Sequence, residues 1–173
     1  MRDVKSCFSS EIRSPESPVY MNTLKLLGTN PTPMPWGEVY TSMQTKVVDG
    51  LEVHPESFIT SKLSEVCKFG SVTKHIYAGS AFMINEDVFK KLSKEQQDII
   101  SAAAITSEKM NRDLIVKGEA QFVKDLTDKG TKINEISEPE MQKFRDAVKP
   151  LYADYATKVG GMDFINQVIN TGK

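Results

Sequence analysis

Cysteine is scarce in this sequence: Cys7 and Cys67 lie far apart, with no CxxC spacing and no histidine partner at metal-ligand spacing. A redox or zinc motif is therefore not expected, and neither is a Cys7–Cys67 disulfide. An excess of either charge is lacking too. The 22 basic and 23 acidic side chains leave a net charge of −1, which offers no electrostatic footprint for nucleic acid or an anionic membrane. No apolar run approaches the ~20 residues needed to span a bilayer. The opening MRDVKSCFSS lacks the apolar core of a signal peptide, so the chain as written shows no export signal. Catalytic signatures are missing as well, since no G-x-S-x-G, HExxH, P-loop or GxGxxG pattern occurs. No metal site and no cofactor is expected. What remains, 39 % hydrophobic and 26 % charged residues over a length of 173, suits one ordinary globular domain.

The informative residues concentrate between Gly28 and Glu52, GTNPTPMPWGEVYTSMQTKVVDGLE. Pro31 and Pro33 fix their own φ and push their predecessors into extended backbone, so Thr29 to Met34 reads as a strand. Trp36 and Gly37 follow at the turn. Gly37 to Lys46 resumes helical spacing with Val39, Met43 and Val47 on one face, and Gly50 to Val53 reads as another short strand. Trp36 thus falls at a strand-to-helix junction, where open α/β sheets place ligands.

Upstream, Glu11 to Arg13 closes a strand, Ser14 and Pro15 turn, and a helix from Ser17 to Leu27 stops at Gly28. Downstream, Glu56 to Cys67 reads as a helix, and Ser71 to Tyr77 and Gly79 to Asn85 carry the aromatic and β-branched residues of two strands. Ser93 and Gln96 form a capping box that opens a helix of roughly 36 residues ending at Gly130. At ~50 Å such a helix exceeds the diameter of a domain this size and is expected to cross onto another body. A strand at Thr131 to Asn134 follows. A second capping box, Ser137 with Glu140, opens a helix interrupted near Pro150, and a last helix runs from Gly161 to Asn170. The order βαβαβ before the long helix places the chain in the α/β class.

In this order, IRSP at Ile12 to Pro15, GTNPTPM at Gly28 to Met34, the EVY, MQ and VVDGLE segments from Glu38 to Glu52, and INEDVFKKLSKEQQDII from Ile84 resemble the solute-binding proteins of tripartite ATP-independent periplasmic (TRAP) transporters, of the C4-dicarboxylate type. The resemblance covers nearly everything after about Glu11. It implies a periplasmic binding protein type II-like α/β fold, closing as two domains around a small organic acid, with a long helix spanning both. It also implies a chain about twice this long, of which the present one resembles the second half. Residues 1–10 then form an irregular, shortened start, 11–92 the ligand-binding portion, and 93–173 the spanning helix, a short strand and C-terminal helices.

The resemblance bears on site residues one by one. Arg13 alone reads as a surface arginine near a strand end; the family match makes it the carboxylate-binding arginine, whose planar fork offers two parallel charge-assisted hydrogen bonds. Trp36 alone reads as a core tryptophan, and by the match it packs against the bound solute. Val53 stands where many acid-binding members carry Asn. A valine cannot hydrogen-bond a hydroxyl or carboxylate, which argues against sialic acid or a small dicarboxylate as ligand. His54 beside it is the candidate substitute, against the ordinary reading of a solvated loop histidine. Met34, Glu16 and His75 fall near the expected cleft wall, where structural roles are the ordinary reading. Asp49 and Glu52 could suggest paired acid/base carboxylates, but Asp-Gly makes a tight turn and Glu52 is expected to point across its strand; an enzyme would need a second perturbed titratable group beside Glu52. The expected function is an extracytoplasmic solute receptor, not an enzyme. Its partners are an organic acid and membrane permease subunits, with no nucleic acid and no direct membrane insertion, and its parent is periplasmic. The alternatives are a non-binding remnant of such a receptor and a small α/β enzyme of unknown substrate.

Overall fold

The computed structural model describes residues 9–171 apart from Ala78; Cys7 and the expected irregular start up to residue 8 lie outside them. The chain divides into two compact units, one built from the residues up to Thr73 together with those from Leu126 onward, the other from Lys74–Asp125.

The first unit carries two parallel sheets. Strand β1 (Glu11–Ser14) lies between β2 (Asn30–Pro33) and β3 (Gly50–Leu51), with Arg13 opposite Thr32 on one side and Leu51 on the other. Helix α1 (Pro18–Leu26) is the crossover from β1 to β2. It starts with Pro at its first position, where the missing N–H costs nothing, and ends at Gly28, whose φ of 87° suits a residue without Cβ. A short 3-10 turn at Trp36–Glu38 leads into α2 (Val39–Gln44). After β3 come α3 (Pro55–Thr60), a 3-10 turn at Leu63–Glu65, and β4 (Phe69–Ser71). Strand β4 pairs in parallel with β5 (Lys132–Asn134), and α6 (Glu138–Val148), α7 (Pro150–Ala156) and α8 (Met162–Thr171) complete the unit. One core joins Met34, Val39, Met43, Val48, Phe58, Leu63 and Leu126, and a smaller cluster forms around Leu27 and Phe144.

The second unit contains α4 (Glu86–Lys90) and most of α5 (Lys94–Asp128). The Ser93 capping box closes reciprocally, with Ser93 N–H donating to Gln96 Oε1 at 2.9 Å and Gln96 N–H to Ser93 Oγ at 3.2 Å. Helix α5 runs 35 residues and stops before Gly130, where φ is 84°. No helix among the described residues is long and apolar enough to cross a membrane. Ile99, Ile105, Met110, Leu114 and Val116 on α5 are exposed.

Several expected elements differ. The two strands of 71–77 and 79–85 do not form; β4 stops at Ser71, and the described residues beyond it are irregular up to Asn85. Tyr77, Phe82 and Met83 are largely exposed, and aromatic β-propensity has effect only on a pleated face with a neighbour to pack against. The helix expected over 56–67 breaks at Lys62, which takes a left-handed φ of 56°. Strand β3 ends at Leu51, not Val53. Ser137 makes no side-chain cap bond; Glu140 pairs instead with Lys143.

Leu63 is only 1 % exposed within the larger core. Leu63→Ala is expected to lower unfolding free energy by about 2–5 kcal/mol. Leu114→Ala, at a position 66 % exposed, should change it by less than about 0.5 kcal/mol. Urea unfolding followed by circular dichroism checks both.

Candidate functional site

Because β1, β2 and β3 are parallel, their carboxyl ends lie along one edge of the sheet. That edge carries Arg13 and Ser14 at the end of β1, Met34 to Trp36 after β2, and Glu52 to His54 after β3. Arg13 is 6 % exposed, so its charge has left bulk water and needs fixed partners. Its Nε–H and Nη2–H both donate to the carbonyl oxygen of Met34, at 3.1 and 2.7 Å. The Trp36 ring covers it, with the guanidinium carbon 5.3 Å from the ring centroid, a cation–π distance. Among the described residues the guanidinium makes no further hydrogen bond and no ion pair within 4.0 Å. One edge is thereby fixed to backbone while other N–H groups remain for an acceptor.

The electrostatics centre on Arg13 and Glu52. Burial pulls the Arg13 pKa below its ordinary value, and the Glu52 carboxylate opposes that shift. Burial pushes the Glu52 carboxyl above the usual carboxylate range, opposed by Arg13 and then by His54. Tyr20 on α1 is raised by burial and then by Glu52. Tyr20 is thus a second perturbed group beside Glu52, but its shift is upward, so the phenol keeps its proton at neutral pH and is no general base there.

The structure brings together Arg13, Trp36 and the backbone of Met34. The Met34 side chain joins the core, and its carbonyl, not its thioether, meets the site. Val53 has left the ladder and packs against the core. His54 is exposed at the entry to α3 and makes no cap bond. Glu16 is exposed, and His75 belongs to the other unit. Asp49 is occupied structurally: its Oδ2 accepts from Glu11 N–H at 2.9 Å and its N–H donates to Glu11 O at 2.8 Å. Tyr20 is the residue that sequence reasoning missed, whereas Glu52 was weighed there only as an acid/base carboxylate and read as pointing across its strand. The signal for Glu52 was its place one residue beyond the partner of Arg13 on a parallel neighbour; Tyr20 had none. Among the described residues no group of three or more His, Cys, Asp or Glu is placed to hold a metal ion.

A three-stranded parallel sheet thus carries, at its carboxyl edge, a buried arginine under an indole with part of its N–H donors unused by the described residues, on an α/β body. Residues 7–158 match the model of the bacterial extracellular solute-binding protein family 7, and the chain belongs to that family. It is 33 % identical over 150 residues to the sialic acid-binding periplasmic protein of Vibrio cholerae, covering 87 % of this chain and 46 % of that one. It is 32 % identical over 139 residues to the 2,3-diketo-L-gulonate-binding periplasmic protein of Escherichia coli, covering 80 % and 42 %. Among solved structures, the sugar acid binding protein of Advenella mimigardefordensis in complex with galactonate superposes with a TM-score of 0.86 at 29 % identity, covering 92 % of this chain and 52 % of that one. A TRAP periplasmic solute-binding protein of a Bradyrhizobium species, in complex with galacturonate, gives 0.82 at 32 % identity, covering 91 % and 52 %. The chain spans about half the length of the relatives it matches.

Glu52, held above its unfolded pKa, favours folding in its protonated form. That contribution is complete below the ordinary carboxylate pKa and is lost as pH rises through the raised folded value. Glu52→Gln cannot ionise, so its thermal midpoint relative to the unaltered chain should shift upward between pH 4 and pH 7. An unchanged difference between those pH values contradicts the burial of this carboxyl.

Proposed function

We propose that this chain is the acid-binding half of an extracytoplasmic solute receptor of the TRAP type, taking up an organic acid through Arg13 beneath Trp36. The observation that carries the reading is the buried guanidinium, fixed to the Met34 carbonyl by two donors and left with N–H groups that a carboxylate fits in a planar fork. Sialic acid, diketogulonate, galactonate and galacturonate, the solutes named for relatives, share a carboxylate on a hydroxylated carbon frame. Trp36, 43 % exposed, supplies an apolar face for such a frame. Val53 packs on the core and has no hydrogen-bonding group to offer a ligand, so any polar contact from that loop falls to Glu52 or His54.

In this reading residues 11–92 form the ligand-binding portion, and 93–173 the spanning helix, short strand and C-terminal helices. The other wall of the cleft belongs to a second α/β body, supported by the half-length match to relatives and by the exposed apolar side chains of α5, more than a solvated helix needs. Closure around the acid presents the loaded receptor to permease subunits, and the parent protein works in the periplasm. The protein binds and releases its solute unchanged; no enzymatic step is involved.

Trp36 is the only tryptophan, so its fluorescence reports on the site directly. Titration with a panel of sugar acids, keto acids and dicarboxylates should give a saturable change for at least one acid. Arg13→Ala should weaken it at least ~100-fold, because two charge-assisted bonds are each worth about 1.5–3 kcal/mol. A folded chain whose fluorescence responds to no acid would reject acid binding by this half.

A further inference from the structure

The backbone of Met34 joins the strand ladder to the arginine. Its N–H donates to Ser14 O at 3.1 Å, one rung beyond Ser14 and Pro33, the last paired residues of β1 and β2. Rungs of a parallel ladder are evenly spaced, so the Met34 carbonyl would next accept an amide N–H from β1. Strand β1 ends at Ser14, however, and the chain turns at Pro15, where Ser17 N–H donates to Pro15 O at 2.7 Å. The Arg13 side chain takes the rung instead, through Nε–H and Nη2–H at 3.1 and 2.7 Å.

Pro35 comes next in the chain. A residue before proline is pushed out of the helical region into extended backbone, and Pro35 itself has φ of −57° and ψ of 146°, close to polyproline II. That restriction acts where helix begins at once: Trp36–Glu38 is a 3-10 turn leading into α2, and Glu38 N–H already donates to Pro35 O at 3.1 Å. Without the pyrrolidine ring, Met34 would be free to wind into that helix, which would turn its carbonyl along the helix axis and away from Arg13. Pro35 is exposed and belongs to neither core cluster.

We propose that Pro35 is a positioning residue of the acid site: by holding Met34 extended it aims the Met34 carbonyl at Arg13, and so sets, before any solute arrives, which guanidinium N–H groups face an incoming carboxylate. The proposal rests on the acid-site reading of Arg13. Its physical basis is preorganisation, since a side chain fixed beforehand loses little freedom on binding, whereas a loosened one must be ordered at the expense of affinity.

The test is Pro35→Ala, with Pro139→Ala, an exposed proline in the first turn of α6, as the control. Calorimetric titration with D-galacturonate should give an affinity roughly 5- to 30-fold weaker in Pro35→Ala, the factor for fixing one residue's backbone, and an unchanged affinity in Pro139→Ala. The second readout is the Arg13 Nε–H proton, followed by NMR in the ligand-free chain and assigned by its loss in Arg13→Gln. Its exchange with solvent should be slow in the unaltered chain and in Pro139→Ala, and several-fold faster in Pro35→Ala. Pro35→Val, which favours extended backbone itself but leaves Met34 unrestricted, should behave like Pro35→Ala and replaces it if the alanine variant folds poorly. An Nε–H that stays protected in the folded variant overturns the positioning role, whatever the affinity does. A freed Nε–H with unchanged affinity overturns it too, as does an equal loss of affinity in Pro139→Ala. If the unaltered chain gives neither heat nor a Trp36 fluorescence change with any acid, the acid-site reading fails and this proposal with it.

Discussion

The contact on which the site depends is the pair of hydrogen bonds from the Arg13 guanidinium to the Met34 carbonyl. A buried cation is tolerated only where fixed dipoles or counter-charges replace its water. Here β2 supplies the dipole, because Pro31 and Pro33 hold that strand extended and deliver Met34 O beside the end of β1. Trp36 follows two residues later, and its ring closes over the same guanidinium. One backbone oxygen thus sets the direction of Arg13, and the direction decides which N–H groups are left for an anion.

Around that anchor the β1–β2–β3 edge divides its work by strand. Thr32 and Asn30 on β2 and Asp49 before β3 all converge on Glu11 of β1, holding the amino ends of the strands in register with polar contacts. The carboxyl ends carry the electrostatics instead, with Arg13, Glu52 and Tyr20 each shifted mainly by burial.

Much of this was legible beforehand for local reasons. Gly28 and Gly130 marked helix ends because their positive φ excludes a side chain at little cost only in glycine. The Ser93–Gln96 box closed as its spacing requires, since both partners lie within one turn. The Ser137–Glu140 box has the same spacing and did not close: Ser137 caps no N–H, and the Glu140 carboxylate pairs with Lys143. The strands expected over 71–77 and 79–85 failed for a related reason, since a strand exists only with a neighbour, and neighbours are not written in local sequence.

What the sequence by itself determined is the set of elements whose cause lies within a few residues, namely the proline-stiffened β2, the glycine-ended helices and the capped start of α5. The tertiary structure decided which groups share a dielectric environment. Burial of Arg13, the choice of the Met34 carbonyl over its side chain and the retreat of Val53 into the core arise from how the strands pair and pack, as does the action of the Glu52 charge on both Arg13 and Tyr20. Pairing brings residues up to dozens of positions apart into the same few ångströms, and electrostatic energies depend on that distance and on the water excluded from it.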